Sequence, residues 1–170
     1  MANNQERHAA VQGIYCIFAT MPLLKNISLY QFKNHRQNAF VFDNKVTAIC
    51  GENGSGKTNL LDAIYYLCIT KSYFGIADQQ LVYFEGNGMR IEGRFITPDN
   101  EALDTVAIIR ENGKKEFAVN GENYTRLSSH LGRLPVVMIA PDDTVLISGA
   151  SELRRKWLDS LICQTDQDYL

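Results

Sequence analysis

The sequence predicts an α/β fold whose mixed sheet combines buried strands with antiparallel hairpins. Three observations predict it. An apolar, β-branched run at 46–50 (Val-Thr-Ala-Ile-Cys) leads into a Gly-rich octapeptide, and a helical pattern leads out of it. Asn112-Gly113 lies between two stretches of strand character, the mark of a tight hairpin. A second apolar run, 134–140, is continuous enough for a strand buried on both faces. With 170 residues, 45% of them hydrophobic and 21% charged, the chain has material for one core.

The elements follow in order. Residues 23–32 alternate as a strand does. The polar stretch Lys33-Asn34-His35-Arg36-Gln37-Asn38 reads as a turn. Phe40-Val41-Phe42 begins a second strand, Asp43-Asn44 turns it, and 46–50 is the third. After the octapeptide, Leu60, Leu61, Ile64, Leu67 and Cys68 share a stripe at helical spacing, a face for the core. A loop spans 70–75. Residues 89–96 form a strand closed by Thr97-Pro98-Asp99-Asn100. Residues 105–110 and 116–119 flank Asn112-Gly113, and Asn120-Gly121 makes a further turn. Ser151 is placed to cap a last helix, 152–163, whose Leu153, Trp157, Leu158, Leu161 and Ile162 form an apolar face. There is no internal repeat, low-complexity tract or linker. The domain is expected over 21–170, with residues 1–20 an extension that is not part of the fold.

The octapeptide carries the chemistry. Gly51-Glu52-Asn53-Gly54-Ser55-Gly56-Lys57-Thr58 matches G-x-x-x-x-G-K-[ST] at every position, and strand, turn and helix frame it as that motif requires. Such a turn points successive N–H groups inward as an anion nest, and the following helix adds its positive end. Lys57 is expected to reach the β- and γ-phosphates and the Thr58 hydroxyl to ligate Mg²⁺. No base-reading N-K-x-D follows, which favours ATP over GTP.

Net charge is −2, so any nucleic-acid contact has to come from a local patch. Cys16, Cys50, Cys68 and Cys163 are far apart in apolar surroundings and read as small core residues in a reducing compartment. The scattered His8, His35 and His130 do not suggest a zinc site. No apolar stretch reaches bilayer length and no cationic signal-peptide start occurs, so a cytoplasmic location without membrane contact is expected.

Hydrolysis needs, besides the loop, a carboxylate at the end of a buried apolar strand for Mg²⁺ and a residue to orient water. The local candidate is Asp142, because 136–143 resembles an apolar strand ending in acids, although Ala140-Pro141 intervenes. A turn pair after proline is the other reading of Asp142-Asp143. Ser148-Gly149-Ala150-Ser151 is too poor a match to an ABC signature and reads as a turn plus cap. The triplet Arg154-Arg155-Lys156 is the candidate DNA contact, against a plain solvated face.

These residues together resemble the N-terminal half of the RecF family of ABC/SMC-like ATPases. The resemblance runs from about Met21 to Leu170. It rests on Leu29-Tyr30-Gln31-Phe32-Lys33-Asn34-His35, on the octapeptide continued through Tyr65, and on Lys71-Ser72. Further along it rests on Asn120-Gly121, Leu134-Pro135, Pro141-Asp142-Asp143, Gly149, Arg154-Arg155 and Leu158-Asp159. It implies a P-loop lobe of ABC/SMC-like type and ATP-dependent binding to single-stranded or gapped DNA. It also implies recombination-mediator partners, an ATP-dependent homodimer, and roles in gap repair, replication restart and the SOS response. Tyr73-Phe74 departs from the family, many of whose members carry an Arg there. The family's signature sequence, Walker B carboxylates and switch histidine lie beyond Leu170. The expectation is therefore an incomplete N-terminal lobe with little ATP turnover, where the full-length protein would be a slow, DNA-stimulated ATPase. The alternatives are a self-contained P-loop kinase or GTPase using Asp142 for magnesium, which the hairpins disfavour, and an inactive remnant.

Overall fold

Strand β1 (Leu23–Phe32) holds the fold together, with β2 (His35–Val41) on one side and β3 (Met89–Ile96) on the other. The structure is a computed structural model, and it describes residues 21–166. The proposed extension 1–20, with His8 and Cys16, lies outside the described residues. Beyond β3 follow β4 (Ala102–Ile109), β5 (Lys115–Val119) and the two-residue β6 (Glu122–Asn123), giving a six-stranded sheet of order β2-β1-β3-β4-β5-β6. Every ladder among the described residues is antiparallel. The Asn112-Gly113 and Asn120-Gly121 turns fall where the sequence predicts them.

Helix α1 (Lys57–Ile69) lies across one face of this sheet. Strand alternation puts Ile27, Leu29, Met89, Ile91, Phe95, Ala107, Ile109, Phe117 and Val119 on that face. They pack with Leu60, Ala63, Tyr66 and Leu67 of the helix in one buried cluster. Each large side chain buried this way contributes roughly 1.5–3 kcal/mol. Gly93 makes the close approach possible, since a Cβ there would sit 2.5 Å from Leu67 Cδ1. Of the predicted stripe, Leu61 is exposed and Ile64 half-buried. One residue is a 100° step, which carries Leu61 off the sheet-facing side that Leu60, Ala63 and Leu67 share.

The opposite face of the sheet is polar and cross-linked. Arg94 and Asp104 are register partners with a two-pronged contact at 2.6 and 2.8 Å, and Arg110 meets Glu116 at 2.7 Å. At such exposure these pairs contribute little stability but suit the pairing register.

Several predicted elements differ. Strand β2 begins at His35, so only Lys33-Asn34 turns; β2 is an edge strand whose exposed polar side chains hid it. The runs 46–50 and 134–140 form no strand, and Val46, Val137 and Ile139 are exposed, although Leu134 is buried. An apolar run becomes a strand only when a neighbour accepts its ladder, and none of the six strands pairs with either run. Past 140 come a 3₁₀ turn (Pro141–Thr144), the one-turn helix α2 (Val145–Ser148) and α3 (Ser151–Thr165). Ala150, not Ser151, is the N-cap of α3, and no side chain caps it. No residue of α3 is buried, so its predicted apolar face stays partly open. Cys68 is a core residue as expected, while Cys50 is exposed and Cys163 half-buried. Among the described residues no helix is long and apolar enough to cross a membrane.

Candidate phosphate-binding site

All eight residues of the octapeptide lie on one loop and the first turn of α1. Gly56 is the N-cap, at φ 98°, and a Cβ there would meet Asn34 Oδ1 and His35 Nε2 at 2.7 Å. Conformation and crowding both demand glycine at this position. No side chain caps α1 and no acidic residue sits in its first turn, so the N–H groups at its positive end are left for an anion. Residues 51–55 and Thr58 are exposed, Thr58 on that same turn.

Lys57 folds back over the loop. Its Nζ donates to Gly51 O at 2.8 Å and to Glu52 O at 2.7 Å. The ammonium therefore already stands at the mouth of the loop, and a phosphate oxygen can replace those carbonyls as its partner. The amide nest, one ammonium and one hydroxyl suit a Mg²⁺-bound triphosphate. Thr58 would supply one protein oxygen to a mostly hydrated Mg²⁺.

Three consecutive residues, Lys33 and Asn34 of the β1–β2 turn and His35 at the start of β2, dock on this assembly. Lys33 Nζ lies 2.6 Å from Asp62 Oδ2. Asn34 Nδ2 donates to Gly54 O at 3.1 Å, and Asn34 Oδ1 accepts from Asn59 Nδ2 at 2.7 Å. His35 Nε2 lies 3.1 Å from Gly56 O, and its Nδ1 is 3.2 Å from the side-chain amide of Asn38. His35 is buried, and its ring meets Phe40 edge-on. The sequence pattern marks this stretch only as a polar turn. The signals that point to it are Asp62 amid the apolar 60–64 segment and the loop glycines, whose carbonyls need partners.

The other predicted site residues are placed differently. Asp142 is exposed in the 3₁₀ turn, which agrees with a turn pair after proline. Asp143 caps that turn through Ala140 N at 2.5 Å and accepts a hydrogen bond from the Tyr73 hydroxyl. Burial and that contact hold the Tyr73 phenol above its ordinary range. Arg154 donates to Leu146 O and Gly149 O at 3.1 and 2.9 Å, closing the end of α2. Lys156 pairs with Glu152 at 2.8 Å one helical turn away. Arg155 is exposed, and its side chain enters none of these contacts.

Comparison with known proteins agrees with this geometry. Residues 23–142 match the RecF/RecN/SMC N terminal domain. The chain is 40% identical over 148 residues to the DNA replication and repair protein RecF of Phocaeicola vulgatus. That match covers 87% of the chain and 40% of the relative. It is 38% identical to the protein of the same name from Cytophaga hutchinsonii, covering 86% of the chain and 38% of the relative. The chain thus spans about two fifths of the length of these curated relatives. The solved structure of the recombination mediator protein RecF with ATP, in the RecFOR pathway, superposes with a TM-score of 0.82 at 30% identity, covering 88% of the chain and 40% of that protein. An SMC ATPase head shares the fold at a TM-score of 0.68 and 21% identity, covering 82% of the chain and 99% of its own length.

Proposed function

The chain belongs to the family of the RecF/RecN/SMC N terminal domain, and from that membership we propose that it is the ATP-binding lobe of a RecF-like DNA repair protein. The observation that carries this proposal is the cradle itself: Lys57 Nζ poised over Gly51 O and Glu52 O, beside an uncapped helix start without acids. Likeness to a RecF structure solved with ATP supports ATP as the ligand. In this proposal Gly51, Glu52, Asn53, Gly54, Ser55 and Gly56 present backbone N–H groups to the phosphates. Lys57 binds the β- and γ-phosphates, and Thr58 ligates Mg²⁺. Asp142, exposed in its turn, stays the candidate carboxylate for the metal.

The wider activity is that of a DNA-binding protein of gap repair, replication restart and the SOS response, working in the cytoplasm with mediator proteins and as an ATP-dependent homodimer. What supports it is the likeness to relatives whose names include DNA replication and repair. For DNA the candidates are Arg154, Arg155 and Lys156, of which Arg155 is exposed and enters none of the contacts described above, and a phosphate is its natural partner. Magnesium and slow hydrolysis come with that proposal. Fluorescence anisotropy on labelled gapped duplex tests it: tighter binding with Mg·ATP than without is expected, and equal, salt-insensitive binding in both conditions contradicts it.

A further inference from the structure

We propose that Asn34 and His35 are positioning residues of the phosphate-binding loop, which aim its amides by holding the carbonyls on the far side of the same peptides. The inference rests on the nucleotide-binding function proposed above. In a trans peptide the C=O of one residue and the N–H of the next point in opposite directions. Fixing Gly54 O through Asn34 Nδ2 at 3.1 Å therefore aims the N–H of Ser55 the other way, and Gly56 O, which accepts the Leu60 N–H at 2.9 Å, is held from a second side by His35 Nε2 at 3.1 Å, which keeps the N–H of Lys57 aimed. The Lys57 amide opens α1 and has no partner within the helix. The Ser55 amide makes only a long contact, 3.3 Å, to Glu52 O, which a phosphate oxygen can displace.

The brace is rigid where it has to be. Asn34 is itself held by Asn59 Nδ2 at 2.7 Å, so α1 fixes the side chain that fixes the loop. The His35 ring is buried, and its Nδ1 faces the Asn38 side-chain amide, whose N–H donates to it once that amide is turned to exchange its O and N. A carbonyl can only accept, so Nε2 carries the hydrogen toward Gly56 O. Neither side chain has to touch the nucleotide. Each removes in advance the disorder that an open Gly-rich loop would otherwise lose on binding.

The test is calorimetric titration of Mg·ATP into the full 170-residue chain and four variants. Wild type binds, and Lys57→Ala does not. Asn34→Ala and His35→Phe, which lose the donors, weaken binding by about tenfold each, one hydrogen bond's worth. His35→Gln, whose amide nitrogen reaches the position of Nε2, recovers most of the loss. In ¹H–¹⁵N spectra the Ser55 and Lys57 amides move on ATP addition in wild type and in His35→Gln, and move much less in Asn34→Ala. Asn34 is exposed, so its variant stays folded, and it decides the matter alone if His35→Phe does not fold. Asn34→Ala binding ATP as tightly as wild type, while Lys57→Ala binds none, overturns the brace and leaves the nucleotide site standing. No binding by wild type overturns both.

Discussion

Lys33 Nζ lies 2.6 Å from Oδ2 of Asp62, a carboxylate that is fully buried. The same carboxylate accepts from Ser72 Oγ at 2.9 and 3.1 Å and from the Tyr73 backbone N–H at 2.7 Å. One side chain of α1 thus gathers the β1–β2 turn and the loop after the helix. A charge this deep is tolerable only because every direction from it is answered.

Removing that carboxylate leaves a shielded ammonium and a buried hydroxyl without their partner. Asp62→Ala is expected to cost about 3–5 kcal/mol. Asp62→Asn, which keeps one acceptor, is expected to cost less. Urea unfolding followed by circular dichroism measures both, and an Ala variant within about 1 kcal/mol of wild type contradicts the assigned role.

Thr105 makes the opposite case. It is fully buried between β3 and β5, and among the described residues its Oγ1 is the buried side-chain polar atom with no hydrogen-bond partner. Thr105→Val removes an unanswered hydroxyl and keeps the branched shape. A gain of about 1 kcal/mol is expected, read as a higher Tm. A lower Tm would show that the hydroxyl has a partner after all.

His130 gives a pH signature. It is fully buried, with Nε2 2.7 Å from Leu67 O, Nδ1 3.3 Å from the Tyr124 hydroxyl and its ring 4.5 Å from that of Phe117. Burial holds its pKa below the ordinary 6.5, against the smaller upward pull of the Leu67 carbonyl. Above about pH 6.5 the ring is neutral in both folded and unfolded chains, and its contribution is complete. As pH falls below that, the unfolded chain takes up the proton first. Stability then declines until the pH passes the lower, folded pKa. Unfolding free energy should therefore fall as the pH drops below about 6.5 in wild type and stay flatter in His130→Gln. Equal slopes in the two proteins would remove His130 as the cause.

The turn and helix start at 51–58 were legible, because a glycine pattern that ends in Gly56 at φ 98° dictates residue types at fixed spacing and does not depend on what packs around it. The hairpin strands were legible because alternation and Asn-Gly turns are local. The runs 46–50 and 134–140 misled because apolarity records what a segment is suited to bury against, while strand formation depends on a neighbour that sequence pattern does not supply. The contacts of Asp62 and His35 were not legible, for the complementary reason. Their roles depend on partners ten to twenty-one residues away, Ser72 and Gly56. In the basic triplet Arg154-Arg155-Lys156, sequence pattern does not show that Arg154 also closes a helix end or that Lys156 pairs with Glu152.

The most direct measurement is isothermal calorimetry of Mg·ATP binding to the wild-type chain and to Lys57→Ala, each checked for an unchanged circular dichroism spectrum. The account predicts saturable heat for wild type and none for the variant, since the ammonium now held by Gly51 O and Glu52 O is the charge proposed to meet the phosphates. Equal ATP affinity in the two folded proteins, or no heat in either, contradicts it.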